Sequence, residues 1–195
     1  MIAIWGLAAE GGDPEAIETP FGAVKFTRGA VGGRKAVFLK RNGDARARVA
    51  ATVELDAQRV IAVFAALSLR PELSAGAVLT PVDVLDQTRS GPTPFFEGCG
   101  LGYVQMTPPF CPQLRATLAS GLPADASADA IVAACPARAI TLAEARAWSA
   151  LGAVTATSNT TRPPPHSNKV WAFMTVTLLP GNPRMCRNPQ KRSVL

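Results

Sequence analysis

The run Val60-Ile-Ala-Val-Phe-Ala-Ala66 constrains this chain more than any other stretch. It is continuous, apolar and of strand length, the pattern of a strand buried on both faces of a parallel sheet. Small residues follow at once, through Ala65, Ala66 and Ser68. In open α/β sheets ligands sit at such strand ends, so the end of this run is the first place to look for a site.

With 195 residues, 48% of them hydrophobic and 17% charged, the chain has enough apolar material for one sizeable core. We expect a single domain over residues 1–183 and a disordered basic tail over 184–195. The formal charge of +6 is concentrated in that tail, whose four cations face no acidic side chain. Residues 1–183 hold 16 Lys and Arg against 14 Asp and Glu, so the body has no evident basic face and nucleic acid is not an expected partner. The opening Met1-Ile-Ala-Ile-Trp-Gly-Leu7 is apolar, lacks a basic leader and is too short for a signal or a membrane span. No membrane association and a cytoplasmic address are the corresponding expectations. Cys99, Cys111, Cys135 and Cys186 form no Cys-x-x-Cys pair and have only His166 as an imidazole partner, so free thiols rather than a metal site are expected.

Around the central run, Ile2 to Leu7 reads as a buried strand that turns at Gly6. Ala23 to Thr27 and Lys35 to Leu39 read as a hairpin across a glycine-containing turn. Ala50 to Ala57 reads as a short helix feeding the central strand, and Ala77 to Leu85 as alternating strand around Pro81. Phe110, Leu114 and Leu118 lie at helical spacing, with Pro112 tolerated in the first turn, and read as core packing. Thr141 as N-cap, Glu144 three residues on and Gly152 as a stop specify a further helix. Trp171 to Leu179 reads as a last core strand. This alternation of strand and helix predicts an α/β sandwich around a mixed, largely parallel sheet.

Arg59-Val-Ile-Ala-Val63 with Ala65, Ala66, Ser68 and Leu69 resembles the central strand of trimeric purine nucleoside phosphorylases, in the methylthioadenosine and methylthioinosine phosphorylase branch. Glu18-Thr-Pro-Phe-Gly22, Gly32-Gly-Arg-Lys-Ala-Val-Phe-Leu39 and Leu85-Asp-Gln-Thr-Arg-Ser-Gly-Pro-Thr-Pro-Phe-Phe-Glu-Gly98 resemble family blocks, as does Tyr103-Val-Gln-Met-Thr-Pro-Pro-Phe-Cys-Pro-Gln-Leu-Arg115. The likeness runs to about Leu179.

The resemblance implies a nucleoside phosphorylase-like fold and a pentosyltransferase that cleaves the N-glycosidic bond of purine nucleosides, with phosphate as co-substrate and no cofactor or metal. It also implies a homotrimer, joined through the Phe95-Phe96 loop and the segment around Tyr103. Carried over residue by residue, Arg41, Asn42, Ala65 and Thr93 fall at phosphate-binding positions. Ala66, Arg138, Thr157, Ser158 and Tyr103 fall at nucleoside-binding positions, and Asn182 at the catalytic position that holds the departing base.

Departures cluster at those same places. Phe64 and Leu67 stand where the family has Asn and Gly, and Gly6-Leu-Ala-Ala-Glu-Gly-Gly12 lacks the hydroxyl of the phosphate-holding glycine turn. Asn42 replaces a His, Ala139 replaces the Phe that stacks on the purine, and Thr157 replaces a Met. Thr161-Arg-Pro-Pro-Pro-His166 forces a loop or polyproline segment where the family has a helix. The expectation is therefore a phosphorylase with impaired turnover, the alternative being a non-catalytic member that serves as a structural or binding protein.

Overall fold

The computed structural model describes residues 1–40, 44–88, 106–122, 129–135 and 138–158, together with 169–177; of Ser158 and 169–177 it describes the backbone only. Ten strands form one mixed sheet, in which β5 (Arg59–Ser68) is central. Before it come β1 (Ile2–Trp5), β2 (Pro14–Ile17), β3 (Val24–Val31) and β4 (Arg34–Leu39). After it come β6 (Val78–Leu79), β7 (Asp83–Asp86), β8 (Ile131–Cys135), β9 (Ala153–Ser158) and β10 (Lys169–Thr177). The main order is β2-β3-β4-β1-β5-β9-β8-β7, with β10 pairing both β5 and β6. Parallel pairs join β1 to β4 and β5, β8 to β7 and β9, and β6 to β10. The expected mixed sheet with Val60–Ala66 at its centre is thus present, with parallel and antiparallel pairings in nearly equal number.

The hairpin of β3 and β4 closes at Val31↔Arg34 over the two residues Gly32 and Gly33. Both have positive φ, 55° and 74°, as the two-residue turn that matches strand twist requires. At the other end of β4, the Gly6 N–H donates to the Leu39 carbonyl at 3.2 Å, and Gly6 itself turns with φ of 92°. The first strand consequently stops at Trp5, short of the expected Leu7. Ser68 ends β5 locally: its hydroxyl donates to the Arg70 carbonyl at 2.6 Å and accepts from the Arg70 N–H at 3.1 Å.

Helix α1 (Ala45–Glu54) starts five residues before the expected Ala50. The reason is Asp44, whose carboxylate accepts from the Arg46 N–H at 2.8 Å and so satisfies an open donor of the first turn. Ala47 and Ala51 of α1 pack with Ala3, Val37, Leu39 and Val60. Helix α2 (Pro112–Ser120) carries its proline in the first turn and buries Leu114, while Phe110 is buried just ahead of it. Helix α3 (Leu142–Ala150) has the complete capping box between Thr141 and Glu144, and Gly152 beyond it has φ of 91°. Its Trp148 packs with Ala133, Cys135, Ala153 and Ala156.

Successive residues of a strand face opposite sides, so the clusters locate the layers. Val60, Phe64 and Ala66 share one face of β5, with α1 over Val60 and Leu79, Ala130 and Val132 around Phe64 and Ala66. Ala133, next to Val132, belongs to the α3 cluster on the other face. Helices therefore cover both sides of the sheet, which is why the central run carries no polar alternation. The expected tail over 184–195 lies outside the described residues, and among those described no helix is long and apolar enough to cross a membrane.

Candidate functional site at a gap in the edge of the central strand

Strand β10 runs antiparallel along one edge of β5, from Lys169↔Leu67 to Thr177↔Arg59. The other edge is shared by two strands. β1 pairs with Arg59 to Ala62 and runs parallel to β5, whereas β9 pairs with Leu67 and Ser68 and runs antiparallel. The carboxyl ends of β1 and β9 therefore point at each other across Val63–Ala66, where neither ladder reaches. Such a crevice outside strand carboxyl ends is the place where open α/β sheets take ligands.

Ala65 sits in this gap, half-buried. Its carbonyl accepts a hydrogen bond from the Thr157 hydroxyl at 3.2 Å, across 92 residues of sequence. In a strand the N–H and C=O of one residue point to the same edge, so the Ala65 N–H is also directed toward the gap. Two residues expected in different subsites, Ala65 for phosphate and Thr157 for the nucleoside, are thus in direct contact. Ala66 is placed differently: its side chain is buried with Phe64 and Leu79, and its register partner is Val170 of β10. Ser158 ends β9, opposite Cys135 in the β8 register.

Around the gap, Trp5 closes the end of β1. Its indole Nε1 donates to the Thr52 hydroxyl at 3.2 Å, and that hydroxyl donates to the Arg48 carbonyl at 2.7 Å. The Arg48 guanidinium lies 5.8 Å from the centre of the Trp5 ring, with the residue only 8% exposed. A buried cation at this strand end was not among the expected site residues. The signal was available: on α1, Arg48 shares a face with Thr52 and Leu55, four and seven residues on. On the far side of β9, burial pushes the Cys135 thiol up to about 11, so it is a packed, unreactive group. Among the described residues no group of three or more His, Cys, Asp or Glu is placed to hold a metal ion.

Arg138, which the resemblance puts at a nucleoside-binding position, is held in an ion pair. Both of its terminal nitrogens donate to the Glu144 carboxylate, one at 3.0 Å, and it also donates to the Ala139 carbonyl at 3.0 Å. Glu144 in turn accepts from the Thr141 N–H at 2.8 Å, so the guanidinium is tied into the cap of α3. Ala139 beside it is exposed and offers only a methyl group. The Arg138 hydrogen bonds first, and that of the Thr141 backbone second, hold the Glu144 carboxyl down at about 2, below its ordinary 4.5. A carboxyl depressed on folding stabilises fully above its unfolded value, and the contribution fades as pH falls toward the folded one. Glu144→Gln keeps the capping geometry but not the charge. It should lower the thermal midpoint at neutral pH, with the difference from wild type shrinking progressively below about pH 4.5. A difference equally large in acid would show that the ion pair is not its source.

Arg41, Asn42, Thr93, Tyr103 and Asn182 lie outside the described residues, as do Phe95 and Phe96.

Residues 6–169 match the Phosphorylase superfamily. The 6-oxopurine nucleoside phosphorylase of Pyrococcus furiosus is 32% identical over 171 residues, covering 76% of this chain and 64% of that protein. The S-methyl-5'-thioadenosine phosphorylase of Mycolicibacterium smegmatis is 33% identical over 148 residues, covering 70% of this chain and 56% of that protein. This chain therefore spans less than two thirds of the length of either relative. In fold it is similar to the methylthioadenosine phosphorylase of Schistosoma mansoni in complex with adenine, with a TM-score of 0.68 at 21% identity over 89% of this chain and 80% of that one. The match covers most of the chain, which therefore belongs to the phosphorylase superfamily.

Proposed function

We propose that this chain is a nucleoside phosphorylase of reduced catalytic power, which holds phosphate at the Ala65 gap and a purine nucleoside beside it. The observation that carries this reading is the convergence of β1 and β9 on Ala65, with the Ala65 N–H directed between them. An amide donor, the turn after Trp5 and the cation of Arg41 together suit an oxyanion. The buried charge of Arg48 behind Trp5 is of the sign that favours an anion. Phosphorolysis then needs phosphate under the sugar carbon and a donor to the leaving base, for which Asn182 is the candidate; it needs no cofactor. Methylthioadenosine, methylthioinosine and inosine are the substrates to try. A cytoplasmic homotrimer is the corresponding assembly, supported by the resemblance of the Phe95-Phe96 and Tyr103 segments.

A second reading, a non-catalytic member that keeps only the binding site, is favoured by the burial of Phe64 in the core, where the family strand carries Asn. Both readings require phosphate to bind. At a hundredfold excess over its dissociation constant, inorganic phosphate should raise the thermal midpoint by about 5–10 °C. Arg41→Ala should abolish most of that rise. A midpoint indifferent to phosphate and sulfate would remove both readings.

A further inference from the structure

We propose that Thr157 is a positioning residue, which fixes the Ala65 edge of the central strand in the geometry that receives the oxyanion; this rests on the phosphate reading given above. The β5–β9 ladder spans only Leu67↔Ala156 and Ser68↔Thr155, and the β1–β5 ladder stops at Trp5↔Ala62. The four residues between would be held on this edge by no strand. Thr157 follows Ala156 directly, and its hydroxyl extends the attachment past the end of the ladder to the Ala65 carbonyl at 3.2 Å. A carbonyl only accepts, so Thr157 is the donor in this bond.

Two consequences follow from that polarity. A threonine hydroxyl has one proton, and here Ala65 takes it. Thr157 can still accept a hydrogen bond from a sugar hydroxyl but has nothing to donate to a phosphate oxygen. Its influence on phosphate therefore runs through Ala65, whose N–H points to the same edge as the anchored carbonyl. The residue acts on the phosphate side of the site through an interaction made entirely within the protein.

Calorimetric titration of the full chain with inorganic phosphate tests this in wild type, Thr157→Val and Thr157→Ser. Valine keeps the shape and removes the donor, whereas serine restores it. The expected result is an affinity weakened about two- to tenfold in T157V and within about twofold of wild type in T157S. Exchange of the Ala65 amide proton, followed by nuclear magnetic resonance without ligand, should accelerate in T157V alone. Equal phosphate affinity in T157V and wild type would overturn the inference while leaving the phosphate reading intact. Failure of wild type itself to bind phosphate would overturn the reading, and the inference with it. Should T157V not fold, Thr157→Cys has the size of serine with a much weaker donor and carries the same comparison.

Discussion

With phosphate and methylthioadenosine, methylthioinosine or inosine supplied, the purified protein is expected to release free base more slowly, by on the order of a hundredfold or more, than a relative with the full set of family motifs. Several separate losses contribute. The Gly6 to Gly12 turn carries no hydroxyl and exposes Glu10, whose charge disfavours a bound anion. Asn42 cannot carry the charge of a histidine. Ala139 is exposed and bears no ring, which forfeits a stacking contact worth roughly 1–3 kcal/mol. Each loss is of similar size, and about 1.4 kcal/mol is a factor of ten in rate, so two losses from the middle of that range supply the stated deficit. Release of base, followed spectrophotometrically with an Arg41→Ala control for contaminating enzyme, measures it. Turnover at or above about 1 s⁻¹ that disappears in the control would restore an ordinary enzyme.

Returning Phe64 to the family's asparagine is expected to damage the protein rather than repair it. Phe64 is 5% exposed and packs with Ala66, Leu79, Ala130 and Val132, against which Leu73, Ala77 and Val154 also lie. Phe64→Asn removes a ring from this cluster and inserts an amide. Loss of the ring alone costs about 3–5 kcal/mol, and an unsatisfied amide adds to it. The thermal midpoint should fall by roughly 6–20 °C for a chain of this size. A variant as stable as wild type, with faster phosphorolysis, would show that the site has been blocked by one residue and is otherwise complete.

What could be read from the chain was local. The Val60 to Ala66 run announces its own burial, and Thr141 with Glu144 announces a helix start, because each pattern is confined to a few neighbouring residues. Asp44 is a signal of the same kind, a capping carboxylate one residue before the helix that begins at Ala45. The gap beside Ala65 is another matter. No periodicity states that β1 and β9 share an edge of β5, nor that a hydroxyl at Thr157 selects a carbonyl 92 residues away. Arg138 shows the converse problem: a guanidinium at the right place in a phrase suggests a ligand contact, while the partner that holds it, Glu144, lies six residues on. Arg48 lies ahead of the stretch expected to be helical, so its shared face with Thr52 and Leu55 becomes visible only once the helix is seen to start at Ala45.

The pairing of β5 with β10 also governs when the protein can become native. A ribosome delivers Arg59–Ser68 about a hundred residues before Lys169–Thr177, an interval on the order of ten seconds. Throughout that interval, the longest of the described strands lacks the segment that pairs along nine of its residues. An unpaired strand edge is a template for another chain, so the nascent protein is most vulnerable to aggregation while its core element waits. Long-range pairing of this kind is also slow to form once both partners exist. The yield of folded protein is thus set largely by how well that waiting edge is shielded, which makes a slower growth temperature or an added holding chaperone a sound choice for producing it.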